Sequence, residues 1–171
     1  MIVLMFHKDL ESISNTETFL RFRINDTDII GTAHLTDPDR NDFRVFHDVK
    51  HWWSIIHFAL WGLRAVRALD VVHTTWIEDI SETGLDVLLK RIGNNVVVRN
   101  MLTDDSAHVS YHDLLAAWTA FAHETHDYVL QKFPETVSRA ASRDWLGWPS
   151  PSEIKMIHAC ALSVAKAAGY E

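Results

Sequence analysis

Residues Leu85–Asn100, LDVLLKRIGNNVVVRN, carry two hydrophobic runs separated by Gly93-Asn94-Asn95. Runs of this length and composition around turn residues predict a β-hairpin. Gly93 and both asparagines tolerate positive φ, so the pattern admits two turn registers. A strongly helical segment, Tyr111–Phe133, follows closely. Strand, turn, strand and helix in this order predict a packed α+β domain, because the apolar face of the sheet needs an amphipathic helix to cover it.

The rest of the chain reads compatibly. MIVLMF at the N-terminus is an apolar run of six without a basic leader, which predicts a first strand rather than a secretory signal. Phe19–Ile24 alternates, with Leu20, Phe22 and Ile24 on one face and Arg21, Arg23 and Asn25 on the other. Asn25-Asp26-Thr27-Asp28 supplies turn chemistry, and Ile29–Leu35 returns as the partner strand. After the polar break around Pro38, Asp48–Leu69 has helical periodicity with an apolar surface wider than one face, which predicts a mostly buried helix. Val71–Ile77 is β-branched and aromatic, so a strand is expected.

Ser110 caps the helix at Tyr111, with Asp113 in a variant of the capping box, and Pro134 stops it. Glu135–Trp145 is expected to add a short helix. Ser150-Pro151-Ser152-Glu153 opens a last helix that Gly169 ends. Its expected buried side is Ile154, Ile157, Cys160, Ala161, Val164 and Ala168. The whole predicts a single globular domain over residues 1–171. Its mostly antiparallel sheet of about five or six strands packs against about three main helices.

Sixteen Lys and Arg against 23 Asp and Glu leave a net charge of −7, which argues against nucleic-acid binding. One cysteine, Cys160, excludes an internal disulfide framework and suits a reducing compartment; its setting predicts a buried, inert thiol. The longest apolar stretch, Trp52–Leu63, is broken by Ser54, His57 and Gly62 and is far shorter than the ~20 residues that span a bilayer. A cytoplasmic protein with no membrane partner is expected, its oligomeric state left open.

Catalytic motifs are scarce. The six glycines form neither GxGxxG nor GxxxxGK[ST], and no serine sits in GxSxG. Eleven histidines are the one excess. His112, His123 and His126, with Asp127, fall within about 100° on the helix wheel, opposite the apolar face. They define an alternative reading, a metal-dependent enzyme, with His47 and His51 as further ligands from another helix. The spacing matches no HExxH or Cys/His cluster, and histidines on a polar face are usually solvated. No enzymatic activity and no cofactor are expected.

Acidic residues gather in the breaks: Asp37, Asp39 and Asp42; Glu78, Asp79, Glu82 and Asp86; Asp104 and Asp105. Carboxylates are ordinary on a solvated surface, yet they also steer basic partners. Trp76, Glu78, Asp79, Glu82 and Asp86 therefore form the candidate partner-binding surface, with Trp76 as aromatic anchor. Trp145 and Trp148, which bracket Leu146-Gly147, read equally as anchors or as core plugs, and most of the seven tryptophans are expected in the core.

The block from Gly84-Leu85-Asp86 through Arg91-Ile92-Gly93-Asn94-Asn95-Val96-Val97-Val98, followed by Tyr111 onward, resembles small bacterial immunity proteins. These are the cytosolic inhibitors of contact-dependent and polymorphic toxins. The likeness spans Phe19–Phe133 and rests on size, acidity and element order, so it transfers no functional residue. It implies a stoichiometric binding protein that occludes a basic toxin domain. A structural or regulatory interaction domain is a further alternative with the same sequence features.

Overall fold

The computed structural model describes residues 1–6, 18–35, 47–77, 86–132 and 146–170. The expected helix at Glu135–Trp145 lies outside them. Strands β1 (Ile2–Phe6), β2 (Thr18–Ile24) and β3 (Thr27–Leu35) form one antiparallel sheet in that order. Strands β4 (Thr74–Ile77), β5 (Val87–Ile92), β6 (Asn95–Asn100) and β7 (Ser106–Ser110) form a second, also in sequence order. Three helices accompany them: α1 (His47–Ala68), α2 (Tyr111–Lys132) and α3 (Pro151–Ala167).

The α+β class and antiparallel pairing agree with expectation, but the strands divide between two sheets of three and four instead of one sheet of five or six. Alternation within a strand says which side chains are buried and not which strand lies alongside. β3 packs against β6 and β7 without joining their ladder. A side-chain bond links the sheets, Asn100 Nδ2 donating to the Ile29 carbonyl at 2.8 Å.

Local chemistry explains the other differences. The β5–β6 turn takes the Gly93-Asn94 register, with Ile92 opposite Asn95 and Gly93 at φ +62°. Expected strand residues Val71 and Val72 instead finish α1, their N–H groups donating to the Ala68 carbonyl at 2.9 and 3.0 Å. β7 escapes sequence reading because SAHVS offers only Ala107 and Val109 to the core side. In α2, His126 lies one turn beyond Ala122 and is buried, so it leaves the solvated face assigned to it.

Both sheets and all three helices contribute to one core. At its centre the fully buried Trp118 of α2 meets Phe22 of β2 edge-on at 5.7 Å and Phe58 of α1 at 5.1 Å between ring centroids. Edge-to-face aromatic pairs add ~0.5–1.5 kcal/mol beyond the area they bury. The outer face of the second sheet carries a smaller cluster, in which Leu88 meets Ala161 and Ala165 of α3 with Trp76, Met101 and Tyr170 at its margin.

The start of α3 is a full capping box: Ser150 Oγ accepts from Glu153 N, and Glu153 Oε2 accepts from Ser150 N at 2.8 Å. Its buried line is Ile157, Ala161 and Ala165. Cys160 is only half-buried and Ala168 is exposed, which corrects the predicted inner side and the buried thiol. Among the described residues no helix is long and apolar enough to cross a membrane.

Candidate functional site at the acidic end of the second sheet

Strand register builds this end. Ile77, Val87 and Asn100 lie in one row across β4, β5 and β6. The strand ends at Ile77 and Val87 therefore lie level with Asn100, where the turn that joins β6 to β7 begins. Asp86 and that turn are bonded directly, Met101 N donating to the Asp86 carbonyl at 2.8 Å. Asp86 is thus tied through its backbone to the start of the turn that carries Asp104 and Asp105, at one end of the sheet.

Asn100 organises the turn. It is 4% exposed, and its Oδ1 accepts from Leu102 N at 2.8 Å and Thr103 N at 3.1 Å. Its backbone N–H donates to the Asp105 carbonyl at 2.9 Å, and its carbonyl accepts from Asp104 N at 3.0 Å. Asp104 sits at φ +69°, a conformation that Asp and Asn tolerate better than most residues. The result is a braced tip that presents Leu102, 70% exposed, beside two carboxylates.

Asp104 is also held from outside the turn. Tyr170, just beyond α3, donates its hydroxyl to Asp104 Oδ1 at 2.7 Å, and Arg99 Nε donates to the same oxygen at 2.7 Å. The Arg99 guanidinium lies over the Tyr170 ring, 3.7 Å from its centroid. The Tyr170 hydrogen bond, followed by that of Arg99, holds the Asp104 carboxyl below its ordinary range, and the same bond pushes the Tyr170 phenol up. Sequence reading identified Asp104 and Asp105 only as a separate acidic group. It missed Tyr170, whose partner lies 66 positions away, and also Arg99, which is five positions from Asp104 but reaches it only across the β6–β7 turn.

Of the predicted partner-binding residues, Asp86 is half-buried at this edge, while Glu78, Asp79 and Glu82 lie outside the described residues. Trp76 pairs with Leu88 across the β4–β5 ladder and is half-buried in the cluster beneath α3. Its carbonyl accepts from Trp61 Nε1 at 3.2 Å, and its own buried Nε1 has no hydrogen-bond partner among the described residues. Among the described residues the exposed tryptophan is Trp148, 62% exposed and stacked 5.0 Å from the Arg67 guanidinium, so of its two readings the core plug does not hold.

The opposite end of the sheet carries arginines, but these are committed internally. Arg91 Nη1 donates to Asp70 Oδ1 at 2.9 Å and to the Leu69 carbonyl at 3.0 Å, with its guanidinium 4.0 Å from the Tyr111 ring centroid. Arg67 Nη1 donates to the Gly147 carbonyl at 2.8 Å. Burial, then the Asp70 carboxylate, pushes the Tyr111 phenol far up.

The candidate metal ligands do not converge. His112 and His123 are exposed, whereas His126 is buried with Nδ1 3.3 Å from Asp127 Oδ1. Among the described residues no group of three or more His, Cys, Asp and Glu side chains is arranged to hold a metal ion. Comparison with protein-family models, with curated proteins and with solved structures finds no match to this chain.

Proposed function

We propose that this protein is a stoichiometric binding protein, an immunity protein that neutralises a cognate basic toxin domain through the acidic end of its second sheet. The observation that carries this reading is the backbone bond that holds Asp86 against Met101, at the start of the turn bearing Asp104 and Asp105, at one end of the sheet. The contact residues are Trp76, Glu78, Asp79, Glu82 and Asp86, extended here by Leu102, Asp104 and Asp105. No chemistry is performed and no cofactor is used.

The physical case rests on charge and pre-organisation. With a net charge of −7, the surface attracts a basic partner over about a Debye length, ~8–10 Å at physiological salt. At contact, a carboxylate fixed by existing bonds loses less freedom than one on a loose loop. Replacing both Glu82 and Asp86 with lysine is expected to weaken binding by at least about tenfold and to flatten its salt dependence. The thermal midpoint and far-ultraviolet circular dichroism should stay close to wild type.

Co-expression with the product of the adjacent upstream gene tests the reading in cells. Growth should be rescued by the wild-type chain and less well by the double lysine variant. An upstream product that is harmless, or whose toxicity is unaffected by this protein, would overturn the proposal.

A further inference from the structure

We infer that the C-terminal half of α3 is a strap, fastened at the acidic end by Tyr170 and released when a cationic group takes Asp104. The consequence for partner binding rests on the reading above, whereas the strap itself does not.

The two halves of α3 are held differently. In the N-terminal half, Ile157 enters the main core, Glu153 pairs with Arg64 of α1, and His158 Nδ1 lies 2.9 Å from the Thr74 carbonyl of β4. The capping box closes that end. In the C-terminal half, only the methyl groups of Ala161 and Ala165 are fully committed, and they rest on Leu88 in the smaller cluster. Local opening is easiest where few apolar contacts are buried.

What fixes this second half is its end. Gly169 at φ +77° lets the chain reverse, with Gly169 N donating to the Lys166 carbonyl at 3.1 Å and Tyr170 N to the Ala165 carbonyl at 2.8 Å. That pair of bonds is a Schellman motif. It directs Tyr170 across the outer face of the sheet to Arg99 and Asp104. Beneath the strap lie Leu88 and Trp76, the latter with a buried indole N–H that has no partner among the described residues.

A lysine or arginine of a bound protein competes with Arg99 and Tyr170 for the same Asp104 oxygen. Once Asp104 is taken, the hydroxyl of Tyr170 loses its acceptor and the C-terminal half of α3 is free to lift. Lifting uncovers Trp76 and Leu88 next to the acidic end, so occupancy of the carboxylates is coupled to exposure of an apolar contact surface.

Hydrogen exchange read by mass spectrometry on the full chain without any partner tests the strap. Tyr170→Phe and, independently, Asp104→Gly each delete the hydrogen bond of the clasp, and glycine suits the left-handed backbone at 104. Amides of residues 162–168 should exchange about two- to tenfold faster in both variants, the range expected for losing one hydrogen bond. Amides of residues 155–158 and of β5 and β6 should keep their wild-type rates. Unchanged rates at 162–168, or acceleration shared equally by all of α3 or by the whole domain, would overturn the inference. Failure here leaves the partner-binding reading standing, and failure of co-expression rescue leaves the strap standing.

Discussion

Gly62→Ala is expected to destabilise this protein by about 3 kcal/mol or more, at the upper end of what overpacked cores cost. Gly62 is where α1 passes the ring of Trp118 on α2. A methyl group there would lie 2.7 Å from Trp118 Cε3 and closer still to two further ring atoms. Neither side can yield easily, because Trp118 is fully buried and braced by Phe22, Phe58 and Phe121. For a domain of this size the cost corresponds to a fall in melting temperature of roughly 6–12 °C. Thermal and denaturant unfolding measure it directly. Trp118→Phe removes the atoms that clash, so the alanine substitution should cost distinctly less in that background. An equal cost in both backgrounds would place the steric conflict elsewhere.

Asn100→Asp is the second large effect. The substitution is nearly isosteric, yet it deletes the donor to the Ile29 carbonyl and sets a carboxylate against that oxygen at a site 4% exposed. Losing this side-chain bond between the two sheets and burying a charge with no cationic partner in the bonds of Asn100 should cost about 3–5 kcal/mol at neutral pH. The sign of its pH dependence follows from burial. A carboxyl at position 100 would have a folded-state pKa above its unfolded value, so the penalty grows as pH rises and shrinks in acid. Urea unfolding of wild type and variant at pH 5 and pH 7.5 should show the smaller difference at pH 5. Asn100→Ala, which removes the partner of the Ile29 carbonyl and of the Leu102 and Thr103 N–H groups but adds no charge, should show no such trend with pH.

Both sites illustrate what the sequence conceals. Gly62 reads as an interruption in an apolar stretch, and only the path of α1 across Trp118 gives it a packing role. Asn100 reads as the end of a strand, and its partner lies 71 positions away. By contrast, the Gly93 turn, the 22-residue α2 and the Ser150–Glu153 box were readable because their determinants are local: turn residues, 3.6-residue periodicity and cap chemistry. The division into two sheets was not, because strand alternation specifies burial without specifying neighbours.

The candidate site divides along the same line. Its carboxylates are visible in the chain as separate groups, but the placement of Asp86 beside the turn that carries Asp104 and Asp105 depends on the pairing of β5 with β6. The clasp of Arg99, Asp104 and Tyr170 depends further on where α3 ends. Trp76, chosen from its acidic neighbours, proves to be half-covered by α3, a setting no local pattern encodes. His126 turned inward because one position on a helix wheel shifts a side chain by ~100°, enough to cross from the solvated to the buried face.

The central claim is that the acidic end of the second sheet forms a stoichiometric protein interface. Isothermal titration of the purified chain into the upstream gene product, at two salt concentrations and with Asp86→Lys and Asp105→Lys variants, addresses it most directly. The account predicts one-to-one binding that weakens with salt, and at least about a tenfold loss of affinity in each variant while its fold is retained. Tight binding that neither lysine substitution nor salt alters would contradict it.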